Sequence, residues 1–131
     1  MMTQRAPASA PATAPDPRLR LRLLFGPDVM LGPGKADLLE LIRDTGSISA
    51  AGRAMNMSYK RAWMLVTAMN AAFRDPLVDS ARGGSKGGGA TLTTTGETVL
   101  AAYRALEAET ARAGAAQIET IRNLLIPPDA G

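Results

Sequence analysis

Ser58-Tyr59-Lys60-Arg61 sets two hydroxyls and two cations in consecutive positions, and Trp63 and Thr67 follow at spacings that return to one face of a helix. Further on, Arg82-Gly83-Gly84-Ser85-Lys86-Gly87-Gly88-Gly89 places two more cations among glycines. Hydroxyls, ammonium and guanidinium groups donate hydrogen bonds to phosphate oxygens, and the cations can also reach the acceptor edges of bases. Residues 53–86 carry Arg53, Lys60, Arg61, Arg74, Arg82 and Lys86 against only Asp75 and Asp79, whereas 96–126 sets Arg104, Arg112 and Arg122 against Glu97, Glu107, Glu109 and Glu119. A basic middle beside a near-neutral end suits an anionic polymer. The plain alternative is ordinary surface charge unevenly spread.

Other chemistry is poorly supplied. The chain has no cysteine and no histidine, which removes disulfides, thiolate metal sites, cysteine nucleophiles and imidazole bases. Glu97, Glu107 and Glu109 offer carboxylates, but charges spaced along a helix usually face solvent. Lys86 is not followed by Ser or Thr and a strand comes next, so the glycine run is not a nucleotide-phosphate loop. The expectation is a protein that is not an enzyme and has no metal or cofactor.

The elements that must position these residues follow from the pattern. A chain of 131 residues suits one domain, expected over 18–126. Residues 1–17 are rich in Ala, Pro, Ser and Thr without an apolar segment and read as a disordered tail, not a signal peptide. No apolar run approaches the roughly 20 residues needed to span a bilayer, so a cytoplasmic location without membrane contact is expected. Residues 127–131 read as a second tail.

Leu19, Leu21, Leu23 and Phe25 alternate with Arg18, Arg20 and Arg22, a half-buried strand. Val29 to Leu31 can return as a second strand before Gly32-Pro33-Gly34 breaks the chain. Lys35 to Asp44 carries a helical stripe, and Gly46 is placed to stop it. Ser49 can N-cap a short Ala-rich helix, Asn56-Met57 turns the chain, and Ser58 can N-cap a third helix that Pro76 closes. Leu77 to Ala81 and Ala90 to Leu92 flank the glycine-rich loop as two strands. Thr94 and Glu97 have capping-box spacing and open a long helix over about 94–126, ended by Pro127-Pro128. The fold class is mainly α with small β elements (α+β), in the element order of a winged helix-turn-helix.

In that arrangement small Ala51 and Ala54 let the third helix cross closely. With Ala62, Val66, Met69 and Phe73 facing inward, Tyr59, Lys60, Trp63 and Thr67 face outward into a major groove. Ser49, Ser58 and Tyr59 supply hydroxyls, Lys60 a base-edge or phosphate contact, and Arg61 a backbone contact to one side. Trp63 more readily packs than reads bases, with its N–H seeking a partner. Arg82, Gly83, Gly84, Lys86 and Gly87 form the wing against the sugar-phosphate backbone. An ordinary three-helix core with a basic surface and a mobile hairpin shares the same spacing. The apolar positions of the last helix, Ile118, Ile121, Leu124 and Leu125 among them, suit a homodimer with recognition helices about 34 Å apart; folding back as a monomer is the alternative.

Gly46-Ser47-Ile48-Ser49-Ala50-Ala51, Met57-Ser58-Tyr59-Lys60-Arg61-Ala62-Trp63, Met69-Asn70, and Arg82-Gly83-Gly84 through Gly87-Gly88-Gly89-Ala90-Thr91-Leu92-Thr93 with Gly96 resemble the N-terminal domain of the molybdate-responsive ModE-type transcription regulators. More distantly they resemble the LysR-type DNA-binding domain. The resemblance runs from about Leu19 to Tyr103. It implies a bacterial dimeric winged-helix binder of double-stranded DNA, with a recognition helix starting near Ser58 and a wing at 82–89. Full-length members carry paired β-rich oxyanion-binding modules, of which these residues hold no counterpart. Direct molybdate binding is therefore not expected, and a separate sensor protein is one route for a signal. The reading is a repressor acting on a near-palindromic site; the alternative is an architectural or protein-binding winged helix.

Overall fold

The computed structural model describes residues 17–80 and 89–127. The described residues divide into two units, 20–107 and 17–19 with 108–127. Of the tails expected at 1–17 and 127–131 and the loop expected at 82–89, residues 1–16, 128–131 and 82–88 lie outside the described residues, as does residue 81.

The first unit begins with β1 (Leu23–Leu24), which pairs antiparallel with β2 (Met30–Leu31). The expected strand from Leu19 to Phe25 shrinks to these two residues. Its alternation survives as half-buried Leu21 and Leu23 against exposed Arg20 and Arg22, but Phe25 is exposed. The reason is the partner: a helix starts right after β2, leaving nothing for a longer ladder to pair with.

That helix, α1 (Pro33–Thr45), takes in the Gly32-Pro33-Gly34 stretch expected to break the chain. Gly32 is the extended N-cap and Pro33 the first helical residue, where a missing N–H costs nothing and the fixed φ helps. Gly46 stops α1 with φ at +73°, and its carbonyl accepts from Ala90 N–H at 2.9 Å. α2 (Ile48–Ala54) is capped by Ser47, whose Oγ accepts from Ala50 N–H at 3.0 Å; Ser49, the expected cap, lies inside the helix. Asn56 makes the turn with φ at +59°.

α3 (Tyr59–Ala72) is capped as expected, Ser58 Oγ accepting from Arg61 N–H at 3.1 Å. It ends at Ala72, ahead of Pro76, because Phe73 turns extended. The close crossing of α2 and α3 uses Ala51, which is fully buried, and Gly52, where a Cβ would meet Ala62 Cβ at 3.0 Å; Ala54 is exposed and has no part in it.

β3 (Val78–Ser80) and β4 (Ala90–Leu92) form an antiparallel hairpin with Ser80 opposite Ala90. Asn70 of α3 holds its first strand: Oδ1 accepts from Leu77 and Val78 N–H at 2.9 and 3.1 Å, while Nδ2 donates to Val78 O at 3.1 Å. α4 (Thr94–Ala113) follows. Its cap is Thr93, not Thr94: Thr93 Oγ1 accepts from Gly96 N–H at 2.9 Å and donates to Pro76 O at 2.7 Å.

One core fills this unit, from Leu38, Leu39 and Ile42 of α1 through Ile48, Ala62, Val66, Met69 and Leu77 to Leu100 and Tyr103 of α4. Tyr103 is buried, and its hydroxyl donates to Leu21 O at 2.6 Å, tying α4 to the segment before β1. Burial, helped by nearby Glu107, pushes its phenol pKa up.

In the second unit the helix expected to run unbroken over 94–126 is interrupted at Gly114, beyond which α5 (Ala115–Asn123) continues. α5 has no buried residue: Ile118 is half-buried, and Ile121, Leu124, Leu125 and Ile126 are exposed. Among the described residues no helix is long and apolar enough to cross a membrane.

Candidate nucleic-acid interface

α3 has two different faces because its sequence repeats apolar residues on one side only. Ala62, Val66 and Met69 are buried and fix the helix to the core; Phe73, expected with them, is half-buried beyond its end. Tyr59, Lys60 and Thr67 are exposed on the other side, with Tyr59 at 57%. Met64 joins them at 61% exposure. By type methionine reads as core, yet Met64 sits four residues from Lys60 on the same stripe. The face is thus a hydroxyl, an ammonium, a thioether and a second hydroxyl.

Trp63 sits between the faces. It is half-buried against the core and meets Tyr59 edge-on, ring centroids 6.1 Å apart at 76°. Its indole N–H is buried and has no hydrogen-bond partner among the described residues. Arg61 is exposed to one side of the stripe. Ser58 is exposed, its hydroxyl oxygen engaged in the cap. Ser49 is half-buried on α2 and accepts from Arg53 Nη1 at 2.8 Å, which aligns that cation beside the turn into α3. The wing candidates Arg82, Gly83, Gly84, Lys86 and Gly87 lie outside the described residues; the β3–β4 ladder brings the two ends of their loop together at Ser80 and Ala90.

Electrostatics divide the cations by position. Arg104 binds Asp37 and Glu40 at 2.8 Å and Glu107 at 3.1 Å. Partial burial opposes its charge, but the hydrogen bonds to Asp37, Glu40 and Glu107 outweigh it and hold the guanidinium above its ordinary pKa. Arg43 is paired with Asp44 and Arg112 with Glu109. Among the described residues Arg20, Arg22, Lys60, Arg61 and Arg74 form no ion pair with a carboxylate. The unneutralised charge therefore collects around α3 and the segment before β1. No group of His, Cys, Asp and Glu suited to a metal occurs among the described residues.

Residues 35–97 match the family described as bacterial regulatory helix-turn-helix proteins, lysR family. The chain is 50% identical over 82 residues to the molybdenum-pterin-binding protein MopB of Rhodobacter capsulatus, a match covering 63% of this chain and 30% of that protein. It is 40% identical over 94 residues to the molybdenum transport protein ModE of Azotobacter vinelandii, covering 70% and 35%. To the DNA-binding transcriptional dual regulator ModE of Escherichia coli K12 it is 39% identical over 71 residues, covering 54% and 27%. The matched stretch thus spans about a third of the length of these relatives.

Proposed function

We propose that this chain carries a winged helix-turn-helix DNA-binding domain of the ModE/LysR type and is a cytoplasmic transcription regulator that binds duplex DNA as a homodimer. The observation that carries the reading is α3: its inner face is locked into the core while Tyr59, Lys60, Met64 and Thr67 stand exposed beside Arg61, which has no ion pair among the described residues. Such a helix fits a major groove about 12 Å wide. Lys60 then binds a guanine edge or a phosphate, Met64 packs on a thymine methyl, and Tyr59, Ser58, Ser49 and Arg53 approach the backbone. Arg82 and Lys86, with Gly83, Gly84 and Gly87, supply the wing contact. Exposed Ile121, Leu124, Leu125 and Ile126 on and after α5 support the homodimer, which sets a near-palindromic site with half-sites one turn apart, about 34 Å. Occupying that site makes the protein a repressor by exclusion. A separate sensor protein delivers its signal.

Anisotropy binding to the protein's own upstream DNA and to a scrambled duplex, at two salt concentrations, with and without molybdate, tests this. Selective binding that weakens steeply with salt is expected. A molybdate effect would assign sensing to the chain itself. Absence of binding even at low salt would overturn the reading in favour of a protein-binding surface.

A further inference from the structure

We infer that a cleft between the segment before β1, the start of α1 and the start of α3 holds a backbone phosphate of the bound duplex; this rests on the DNA-binding reading and extends its surface beyond α3 and the wing. The cleft, of about 280 Å³, is lined by Arg20, Arg22, Lys35 and Arg61 with no carboxylate. Four cations around one concavity repel one another, and among the described residues none of them has an acidic partner. An anion would relieve that repulsion.

The backbone adds donors. Gly32 gives α1 no side-chain cap and Pro33 has no N–H, and the first helical hydrogen bond closes on Ala36 N–H. The N–H groups of Gly34 and Lys35 therefore lack helical partners at the positive end of a 13-residue helix. Lys35 Nζ donates one hydrogen bond to Met30 O at 2.8 Å, which holds the ammonium in place with two N–H left for a ligand. A Cβ on Gly32 would come 3.1 Å from Met30 Sδ and 3.3 Å from Arg22 Cγ, so the bare glycine lets Arg22 pack against the helix start.

The occupant follows from the rest of the wall. Arg61 and Leu65 belong to α3 and Met57 to the turn before it, so the cleft opens beside the recognition helix. Met30, Met57 and Leu65 give it an apolar side that a free inorganic ion does not use and the deoxyribose next to a backbone phosphate does.

The test is duplex binding by the full chain carrying Arg20→Gln and Arg22→Gln, which remove charge and keep most of each stem. Affinity is expected to fall by the same factor on the specific and scrambled duplexes. The slope of log K against log salt should become shallower by about 1 for each phosphate that is no longer neutralised. Arg43→Gln, at the far end of α1, should leave both unchanged. If the double variant melts early, Arg20→Gln alone is read in the same way. An unchanged slope in a folded variant, with wild type still binding, overturns the inference and leaves the DNA-binding reading intact; no wild-type binding overturns both. A melting-temperature rise with inorganic phosphate at constant ionic strength, abolished in the variant while the duplex slope stays unchanged, would assign the cleft to a free oxyanion and also overturn the inference.

Discussion

A Cβ added to Gly96 would stand 2.1 Å from the carbonyl oxygen of Leu77. The first turn of α4 lies directly on the backbone leading into β3, with Thr93 N–H bonded to Leu77 O at 2.9 Å and Thr93 Oγ1 to Pro76 O. No side-chain rotation can relieve a backbone clash, so Gly96→Ala must push α4 away from the hairpin. The expected cost is about 1–3 kcal/mol or more in urea unfolding. Gly34→Ala, where nothing lies within 4 Å of the new Cβ, should be neutral or stabilising by up to about 1 kcal/mol. Equal effects at the two positions would refute the packing.

Tyr103 and Leu21 are joined by a 2.6 Å hydrogen bond across 82 positions of sequence. Tyr103→Phe should cost about 1 kcal/mol at neutral pH. Because burial, with Glu107, raises the phenol pKa in the folded chain, folding holds the proton more tightly than the unfolded chain does. That contribution is complete below pH about 10 and disappears as pH rises through the folded value. Comparing unfolding curves of wild type and the variant from neutral to strongly alkaline pH checks this. Wild type should lose part of its advantage in the alkaline range, and a constant difference would count against the assignment.

The order of elements was legible in the sequence because Gly46, Ser58 and the Ala62–Val66–Met69 stripe act locally, and each does in the structure what its type suggests. The shifts of one or two residues have tertiary causes. Ser47 and Ser49 are equally good caps by type, and buried Ile48 decides for Ser47 by needing to enter the core from the first helical position. Thr93, Thr94 and Thr95 are indistinguishable locally; the carbonyls of Pro76 and Leu77 select Thr93. Asn70 reads locally as one more polar helix residue, and only the arrival of β3 uses all three of its hydrogen bonds. Of the candidate site, the α3 face was legible from periodicity except for Met64. The cleft was not, since Arg20, Arg22, Lys35 and Arg61 converge only once β1, α1 and α3 are assembled.

Arg104 neutralises three carboxylates from two helices, Asp37 and Glu40 of α1 and Glu107 of α4. Arg104→Met keeps the stem and leaves those carboxylates facing one another. Because the group is partly exposed, solvent screens much of the interaction, and a loss of about 1–2 kcal/mol at low salt is expected. The deficit should shrink as salt rises. A salt-independent deficit would mean that packing of the stem, not charge, carries the effect.

Lys60 and Met64 lie one turn apart on the exposed side of α3 and test different parts of recognition. Lys60→Ala should cost about 1–3 kcal/mol on the specific duplex, and mostly there if it reads a base. Met64→Ala removes an apolar contact without changing charge, so it should reduce discrimination at an A·T pair and leave the salt slope alone. Arg82→Ala with Lys86→Ala should weaken all duplexes alike and flatten the slope. If all three variants bind as wild type does, the recognition surface lies elsewhere.

Ile121 and Leu124 follow one another at helical spacing across the end of α5, 63% and 82% exposed. With Leu125 and Ile126 beside them they make a run of exposed apolar side chains of the kind that marks an interaction surface, and a second copy offers the same surface in return. Ile121→Glu with Leu124→Glu places like charges across such a contact. Sedimentation velocity should then show a dimer for wild type and a monomer for the variant. Melting of residues 20–107 should stay nearly unchanged, because neither side chain belongs to that core. Duplex affinity should fall far more on a two-half-site duplex than on a single half-site, since losing the dimer removes the raised local concentration of the second recognition helix. A variant that remains dimeric would move the interface off α5, whereas a monomer with undiminished affinity for the full site would show that one domain suffices.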